Sequence, residues 1–114
     1  MHELAIAQSL IEQIEKVVRE QAGKRAVAVT VRIGPLSGVD ADALRMAFEI
    51  ASPDTLAAGC VLELEAPHAV LRCRACGAAT ELALVFRACE SCGSADVTVE
   101  GGHELLLRSL ELET

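Results

Sequence analysis

Apolar residues recur every three or four positions over residues 4–22. This spacing places them on one side of an α-helix, with polar and charged residues on the other side. The apolar set comprises Leu4, Ala7, Leu10, Ile11, Ile14, Val17 and Val18. The sequence therefore predicts an amphipathic helix packed on a core, and Gly23 is predicted to be its carboxyl-terminal cap.

Three further segments are rich in β-branched or alternating apolar residues, which predicts β-strands. These segments are 26–33, 60–65 and 104–112. A second helix is predicted over residues 41–51, because apolar residues recur there at helical spacing and Asp40 is a suitable N-cap. We therefore expect an α+β fold in which two helices lie on a small mixed three-stranded sheet.

The segment between the second and third of these strands differs in composition from the rest of the chain. It holds four of the five cysteines and few large apolar residues. A segment of about 36 residues cannot build much core on its own and needs a further source of stability. We predict a zinc-ribbon-like module at residues 67–102, inserted into an α+β domain that comprises residues 1–66 and 103–114.

Two CxxC pairs, twelve residues apart and each followed by glycine, carry the strongest chemical signal. Two intervening residues let one tight turn present both sulfurs to one ion, and zinc prefers four such ligands in a tetrahedron. The predicted ligands of a structural Zn(II) are Cys73, Cys76, Cys89 and Cys92, on facing hairpins. Two redox dithiols or two disulfides are the alternatives. The fifth cysteine, Cys60, is predicted to be a small buried apolar residue on a strand.

Met1-His2-Glu3 forms a second candidate metal site. A free α-amine, the backbone nitrogen of His2 and its imidazole can close adjoining chelate rings. The backbone nitrogen of Glu3 or a second side chain can complete a square. Backbone amides lose their proton chiefly to nickel and copper, which favour tetragonal nitrogen sites. The alternative is a polar residue at a frayed chain end, with Glu3 interacting only with the helix dipole.

Charge and composition exclude several classes of function. Ten Lys and Arg stand against seventeen Asp and Glu, a net charge of −7, and the only aromatic residues besides histidine are two Phe. Nucleic-acid binders usually have a basic face and stacking rings, so no nucleic-acid partner is expected. No apolar run reaches the roughly 18 residues of a membrane helix. Because no secretory signal is evident, we expect a cytoplasmic protein.

An enzyme is not expected. The chain has no glycine-rich phosphate loop, no GxSxG nucleophile elbow and no convincing acid–base pair. The predicted zinc would be fully coordinated by sulfur, which leaves no position for a reacting water molecule.

Five segments in order make the chain similar to a known family. They are Met1-His2-Glu3, RIGPLSGVDADALRMAFE at 32–49, ELEAP at 63–67, the paired CxxC motifs, and the closing strand with Glu104-Leu105 and Leu110-Glu111. In this order and spacing the chain resembles the HypA/HybF family of nickel metallochaperones. These accessory proteins help to mature [NiFe]-hydrogenases and, in some bacteria, urease.

The resemblance implies a nickel carrier with two metal sites. Met1, through its amine, His2 and Glu3 would bind the transported Ni(II), and the four cysteines would bind structural Zn(II). The implied partners are a nickel-handling GTPase of the hydrogenase maturation system and the precursor of the hydrogenase large subunit. His68 and His103, at the two ends of the module, are candidates for an additional nickel ligand. A zinc-ribbon protein–protein adaptor without metal-carrier activity is the alternative function.

Overall fold

The computed structural model describes residues 2–82 and 88–114. Its elements are α1 (Glu3–Glu20), β1 (Arg25–Ile33), α2 (Ala41–Ala51), β2 (Val61–Glu65), β3 (Ala69–Cys73), β4 (Ala79–Leu82), β5 (Val97–Glu100) and β6 (Leu105–Glu113). They form two three-stranded sheets, with strand orders β2-β1-β6 and β4-β3-β5. The predicted fold class, two helices with a small mixed sheet and an inserted module, is confirmed.

The chain divides into two compact units. The first comprises Met1–Val31, Val39–Glu65 and Leu106–Thr114, and the second comprises Arg32–Gly38 and Ala66–Leu105. Residues 32–38 thus group with the inserted segment, whereas the predicted domain bounds placed them in the larger domain. The reason is that two backbone hydrogen bonds hold this loop, from Gly34 N–H to the Glu104 carbonyl at 2.8 Å and from Leu36 N–H to the Gly102 carbonyl at 2.5 Å.

The core of the first unit lies where the predicted apolar stripes face inward. α1 and α2 pack against each other, and the side chains of Ile14, Val18 and Leu44 are fully buried. The buried stripe of α1 begins at Ala7. Leu4, one turn earlier and included in the predicted stripe, is 48% exposed. None of the helices among the described residues is long and apolar enough to span a bilayer.

The carboxyl end of α1 forms a Schellman motif whose left-handed residue is Ala22 and not glycine. Ala22 has a φ of 55°. Its N–H donates to the Arg19 carbonyl at 3.2 Å, and the Gly23 N–H donates to the Val18 carbonyl at 2.9 Å. These are the two hydrogen bonds that define the motif. The prediction that Gly23 supplies the cap is therefore wrong by one position.

In the second unit, β3 is the central strand and pairs antiparallel with both neighbours. Arg72 lies opposite Ala79 of β4 and Thr98 of β5. Cys73, the last residue of β3, lies opposite Val97. This pairing brings the first cysteine to one end of the small sheet.

Candidate metal centre

Two similar tight turns present the four cysteines. The Cys73 carbonyl accepts a hydrogen bond from the Gly77 N–H at 3.0 Å, and the Cys89 carbonyl accepts one from the Gly93 N–H at 2.8 Å. Gly77 has a φ of 79° and Gly93 a φ of 74°. Only glycine adopts this left-handed region without a steric cost. The glycine after each CxxC pair therefore lets the chain turn directly after the second cysteine.

The four sulfur atoms of these cysteines lie within 4.8 Å of one another. Sγ of Cys73 is 3.6 Å from Sγ of Cys92, and Sγ of Cys76 is 3.6 Å from Sγ of Cys89. Four thiolates about 2.3 Å from a central zinc ion would form a tetrahedron with edges of about 3.8 Å. The sulfur positions therefore fit a tetrahedral ion of that size. All four cysteines are free, and their separations far exceed the roughly 2.05 Å of a disulfide.

Hydrogen bonds and neighbouring thiols shift the pKa values of the cluster in opposite directions. The Cys92 N–H and then the Ser91 N–H lower the pKa of Cys89 to about 7. At Cys92, the Ser94 N–H lowers the pKa, but the neighbouring thiols, first that of Cys73, raise it to about 12. The negative charge of one thiolate disfavours ionisation of the neighbouring thiols. Four adjacent thiolates therefore require a cation.

Each pair contributes one buried and one accessible cysteine. Cys73 and Cys89 are about 5% exposed or less, whereas Cys76 and Cys92 are exposed. Such a cluster is anchored to the protein by its buried members. It is still open on one side to a competing chelator in solution.

The second candidate site begins at the amino terminus. Met1 lies outside the described residues. His2 is exposed and precedes α1, where its carbonyl accepts the Ile6 N–H at 3.1 Å and its side chain makes no capping hydrogen bond. The first N–H groups of a helix are not used by the helical hydrogen-bond ladder. The backbone nitrogens of His2 and Glu3 are thus left to other partners.

The Glu3 side chain reaches the start of the second helix. Its Oε1 accepts a hydrogen bond from the Asp40 N–H at 3.2 Å. That bond, together with one from its own N–H, lowers the pKa of Glu3. Asp40 is the N-cap of α2, as predicted, since its Oδ1 accepts from Asp42 N–H at 3.0 Å and Ala43 N–H at 3.1 Å. No local sequence pattern marks the link between Glu3 and Asp40, so this contact was not predicted.

The two candidate additional histidines both belong to the second unit. Nδ1 of His68 lies 3.9 Å from a carboxylate oxygen of Glu81. His103 adjoins Glu104, and its charge contributes to a lowered pKa of that carboxyl. A nickel-ligating role for either histidine stays a prediction.

Cys60 is half-buried rather than buried, and it precedes β2 instead of lying within it. It lines a shallow cleft of about 220 Å³ together with Arg45, Phe48, Glu49, Val61 and Leu62. Partial burial raises the pKa of the Cys60 thiol, so the thiol stays protonated at neutral pH. Its position gives it no part in the four-cysteine cluster.

Comparisons with known proteins cover the whole chain. The family model "Hydrogenase/urease nickel incorporation, metallochaperone, hypA" matches residues 1–112. The hydrogenase maturation factor HypA of Nitrosospira multiformis is 40% identical over 114 residues, covering 100% of this chain and 99% of that protein. The corresponding factor of Chlorobaculum tepidum is 36% identical over 113 residues, covering 99% of this chain and 100% of that protein.

Solved structures of the same kind share the fold. The solution structure of the Ni metallochaperone HypA from Helicobacter pylori aligns with a TM-score of 0.68 and 28% identity, covering 99% of this chain and 98% of that one. A second solution structure, of a HypA protein, aligns with a TM-score of 0.69 and 29% identity, covering 98% of this chain and 96% of that one.

Proposed function

Since the chain belongs to the HypA family of hydrogenase and urease nickel-incorporation metallochaperones, we propose that it binds Ni(II) at its amino terminus and delivers it to an immature nickel enzyme. The observation that carries this proposal is the exposed His2 directly ahead of α1. There the helix does not use the backbone nitrogens of His2 and Glu3. The proposed ligands are the Met1 amine, the imidazole and backbone nitrogen of His2, and the backbone nitrogen of Glu3.

The electrostatics of this position favour a metal that can displace amide protons. A helix amino terminus carries a partial positive charge of roughly half a unit, which disfavours a bare cation. Two deprotonated amides offset the two charges of Ni(II), so that the complex is close to neutral. Nickel and copper form such tetragonal nitrogen complexes, whereas zinc does not favour them. Because the amide protons must leave, the affinity rises with pH.

We propose Zn(II) as the resident ion of the four-cysteine cluster. The two 3.6 Å sulfur separations support a tetrahedral ion of this size. When bound, zinc supplies cross-linking rather than reactivity, because four thiolates fill its coordination sphere. Cys73 and Cys76 hold it from one turn, and Cys89 and Cys92 hold it from the other. The chain is accordingly a carrier and not an enzyme.

Delivery of nickel requires at least one protein partner. The family role in nickel incorporation implies contact with the maturation machinery. We propose a nickel-handling GTPase and the precursor of the hydrogenase large subunit as these partners, in the cytoplasm. Urease is the second client class that the family description supports.

The test is a calorimetric titration of nickel chloride into zinc-loaded protein that begins at Met1. Three variants accompany it: His2→Ala, the same chain with Gly-Ser added before Met1, and Gln8→Ala as the control for a substitution at an exposed residue of α1. We expect one-to-one binding with a dissociation constant on the order of micromolar, about −8 kcal/mol. This binding should disappear in the first two variants and persist in Gln8→Ala.

Two outcomes would overturn the proposal. Equal binding by the native protein and His2→Ala would locate nickel elsewhere. No binding by either would favour the alternative, a zinc-stabilised adaptor that acts only through protein contacts.

A further inference from the structure

Backbone contacts within the second unit hold the two cysteine-bearing turns against each other. Cys73, at the end of β3, lies opposite Val97 of β5, which follows the second turn. The Arg74 N–H, within the first turn, donates to the Asp96 carbonyl at 2.9 Å. Nη1 of Arg74 also lies 3.8 Å from a carboxylate oxygen of Asp96. Because these contacts involve no sulfur atom, the chain itself sets the two turns face to face.

Two pairs of sulfur atoms meet between these turns. Sγ of Cys73 lies 3.6 Å from Sγ of Cys92, and Sγ of Cys76 lies 3.6 Å from Sγ of Cys89. Each pair takes one cysteine from each turn. A disulfide requires about 2.05 Å between its sulfurs, so side-chain rotation has to close only roughly 1.5 Å in either pair.

Each of these pairs joins an exposed cysteine to a buried one. Cys76 and Cys92 are exposed, whereas Cys73 is 5% exposed and Cys89 is 4% exposed. The oxidation of a cysteine depends on its exposure and on a second cysteine nearby that can resolve the product. An oxidant in solution therefore reaches the exposed member first, and the buried member of the other turn lies beside it.

We infer that the four-cysteine cluster is an oxidation site for hydroperoxides, of which hydrogen peroxide is the simplest. Oxidation forms two disulfides across the turns, Cys73–Cys92 and Cys76–Cys89, and releases the bound metal ion. The inference rests on the proposed function only for the identity of that ion as zinc. It adds a redox chemistry to a cluster that otherwise has a purely structural role.

Each disulfide consumes one molecule of hydrogen peroxide. The exposed thiolate attacks a peroxide oxygen, the O–O bond breaks, and a sulfenic acid forms as hydroxide leaves. The buried thiolate then attacks the oxidised sulfur, so that the S–S bond forms and the S–O bond breaks to release a second hydroxide. Two protons from water convert both hydroxides to water. The two thiolates lose two electrons, which the peroxide accepts. Two such reactions remove all four thiolate ligands.

The disulfides across the turns should keep the second unit folded after the ion has left. Each of them links the two turns covalently, as the ion did, and restricts the unfolded chain. Disulfides within each CxxC pair would instead leave the turns unconnected. The state of β3, β4 and β5 after oxidation therefore depends on which cysteines are joined.

The experiment treats the zinc-loaded full chain with excess hydrogen peroxide and maps the disulfides. Free thiols are alkylated first, and the protein is then cleaved after arginine and after glutamate without reduction. Arg74 lies between the cysteines of the first CxxC pair, and Glu90 lies between those of the second. Each cysteine therefore falls on its own peptide, and mass spectrometry identifies every pairing. Cys60→Ser is the control, because Cys60 belongs to the first unit.

We expect about one equivalent of zinc to be released per chain, as a chromogenic chelator reports. The peptide of Cys73 should be joined to that of Cys92, and the peptide of Cys76 to that of Cys89. The amide resonances of β3, β4 and β5 should stay dispersed, and a dithiol reductant with added zinc should restore the original spectrum. Cys60→Ser should give the same release and the same pairing.

Disulfides within the CxxC pairs would overturn the inference. Zinc release without disulfides, or unreacted cysteines in excess peroxide, would overturn it equally. The metal content is measured before the oxidant is added. A different ion at that stage would count against the proposed zinc alone, because the cysteine pairing is read from the peptides whichever ion was bound.

Discussion

The backbone N–H of Asp40 donates a hydrogen bond to the Glu3 carboxylate at 3.2 Å, across 37 positions of sequence. This bond joins the first turn of α1 to the residue that caps α2. The carboxylate lies near the positive ends of two helices, which stabilises its negative charge. Glu3 therefore anchors the start of α2 to the first turn of α1 through its side chain.

Asp40 should stabilise the fold as a helix cap. We expect Asp40→Ala to lower the free energy of unfolding by about 1 kcal/mol, because the N–H groups of Asp42 and Ala43 lose their acceptor. Asp40→Asn keeps a cap oxygen and should cost only a few tenths of that amount. Urea unfolding of both variants measures the difference. Equal losses in the two would show that the charge of Asp40, and not capping, is the stabilising factor.

Ala22 offers a site where glycine should improve stability. A non-glycine residue at a φ of 55° is sterically strained. The relief of that strain exceeds the extra entropy that glycine loses on folding, so we expect Ala22→Gly to raise the free energy of unfolding by about 0.5–1 kcal/mol. Ala5→Gly, within the same helix, is the matched control and should destabilise. Destabilisation by both substitutions would contradict the Schellman geometry.

Truncating a buried residue of α1 should cost more stability than truncating an exposed residue of the same helix. Ile14 is 0% exposed, so Ile14→Ala should leave a cavity and cost about 2–5 kcal/mol. Leu4 is 48% exposed, and Leu4→Ala should cost about 0.5 kcal/mol. The midpoints of thermal or urea unfolding compare the two. Similar costs would mean that the helix is rotated relative to the orientation described above.

Removal of zinc should affect the two units differently. Structural zinc contributes roughly 10–16 kcal/mol of apparent binding free energy in small peptides. Among the described residues of the second unit, few apolar side chains are buried. Both helices belong to the first unit. With excess chelator we expect the amide resonances of β3–β5 to collapse, while most of the 222 nm ellipticity remains. Complete loss of helical signal would show that the first unit cannot fold without zinc.

The lowered pKa of Glu104 predicts a definite pH dependence for the hydrogen bonds between the Gly102 N–H and the Glu104 carboxylate. A carboxyl group whose pKa is lower in the folded than in the unfolded state stabilises the fold. This stabilisation is fully present when the pH is above the pKa of the unfolded state. The stabilisation is lost as the pH falls through the pKa of the folded state. We therefore expect the Gly102 amide resonance of zinc-loaded protein to keep most of its neutral-pH position at pH 4.5, the ordinary value for a glutamate. A transition already half complete at that pH would contradict the hydrogen bonds to Gly102.

The amino-acid sequence by itself determined the secondary structure of the first unit and which four cysteines form the cluster. The predicted bounds of α2 agree with the structure, because Asp40 and the apolar spacing are local signals. The CxxC spacing likewise constrains each sulfur pair through one short turn. Such features depend on residues a few positions apart, where backbone geometry leaves few choices.

Only the tertiary structure decided which distant segments meet. Glu3 binds Asp40, and Gly34 pairs with Glu104, although neither pair shares a periodic pattern. The left-handed position after α1 fell on Ala22 rather than Gly23, because the register at which a helix ends depends on what packs around it. Long-range contacts of this kind arise from the packing of whole elements, and no short stretch of sequence contains that information.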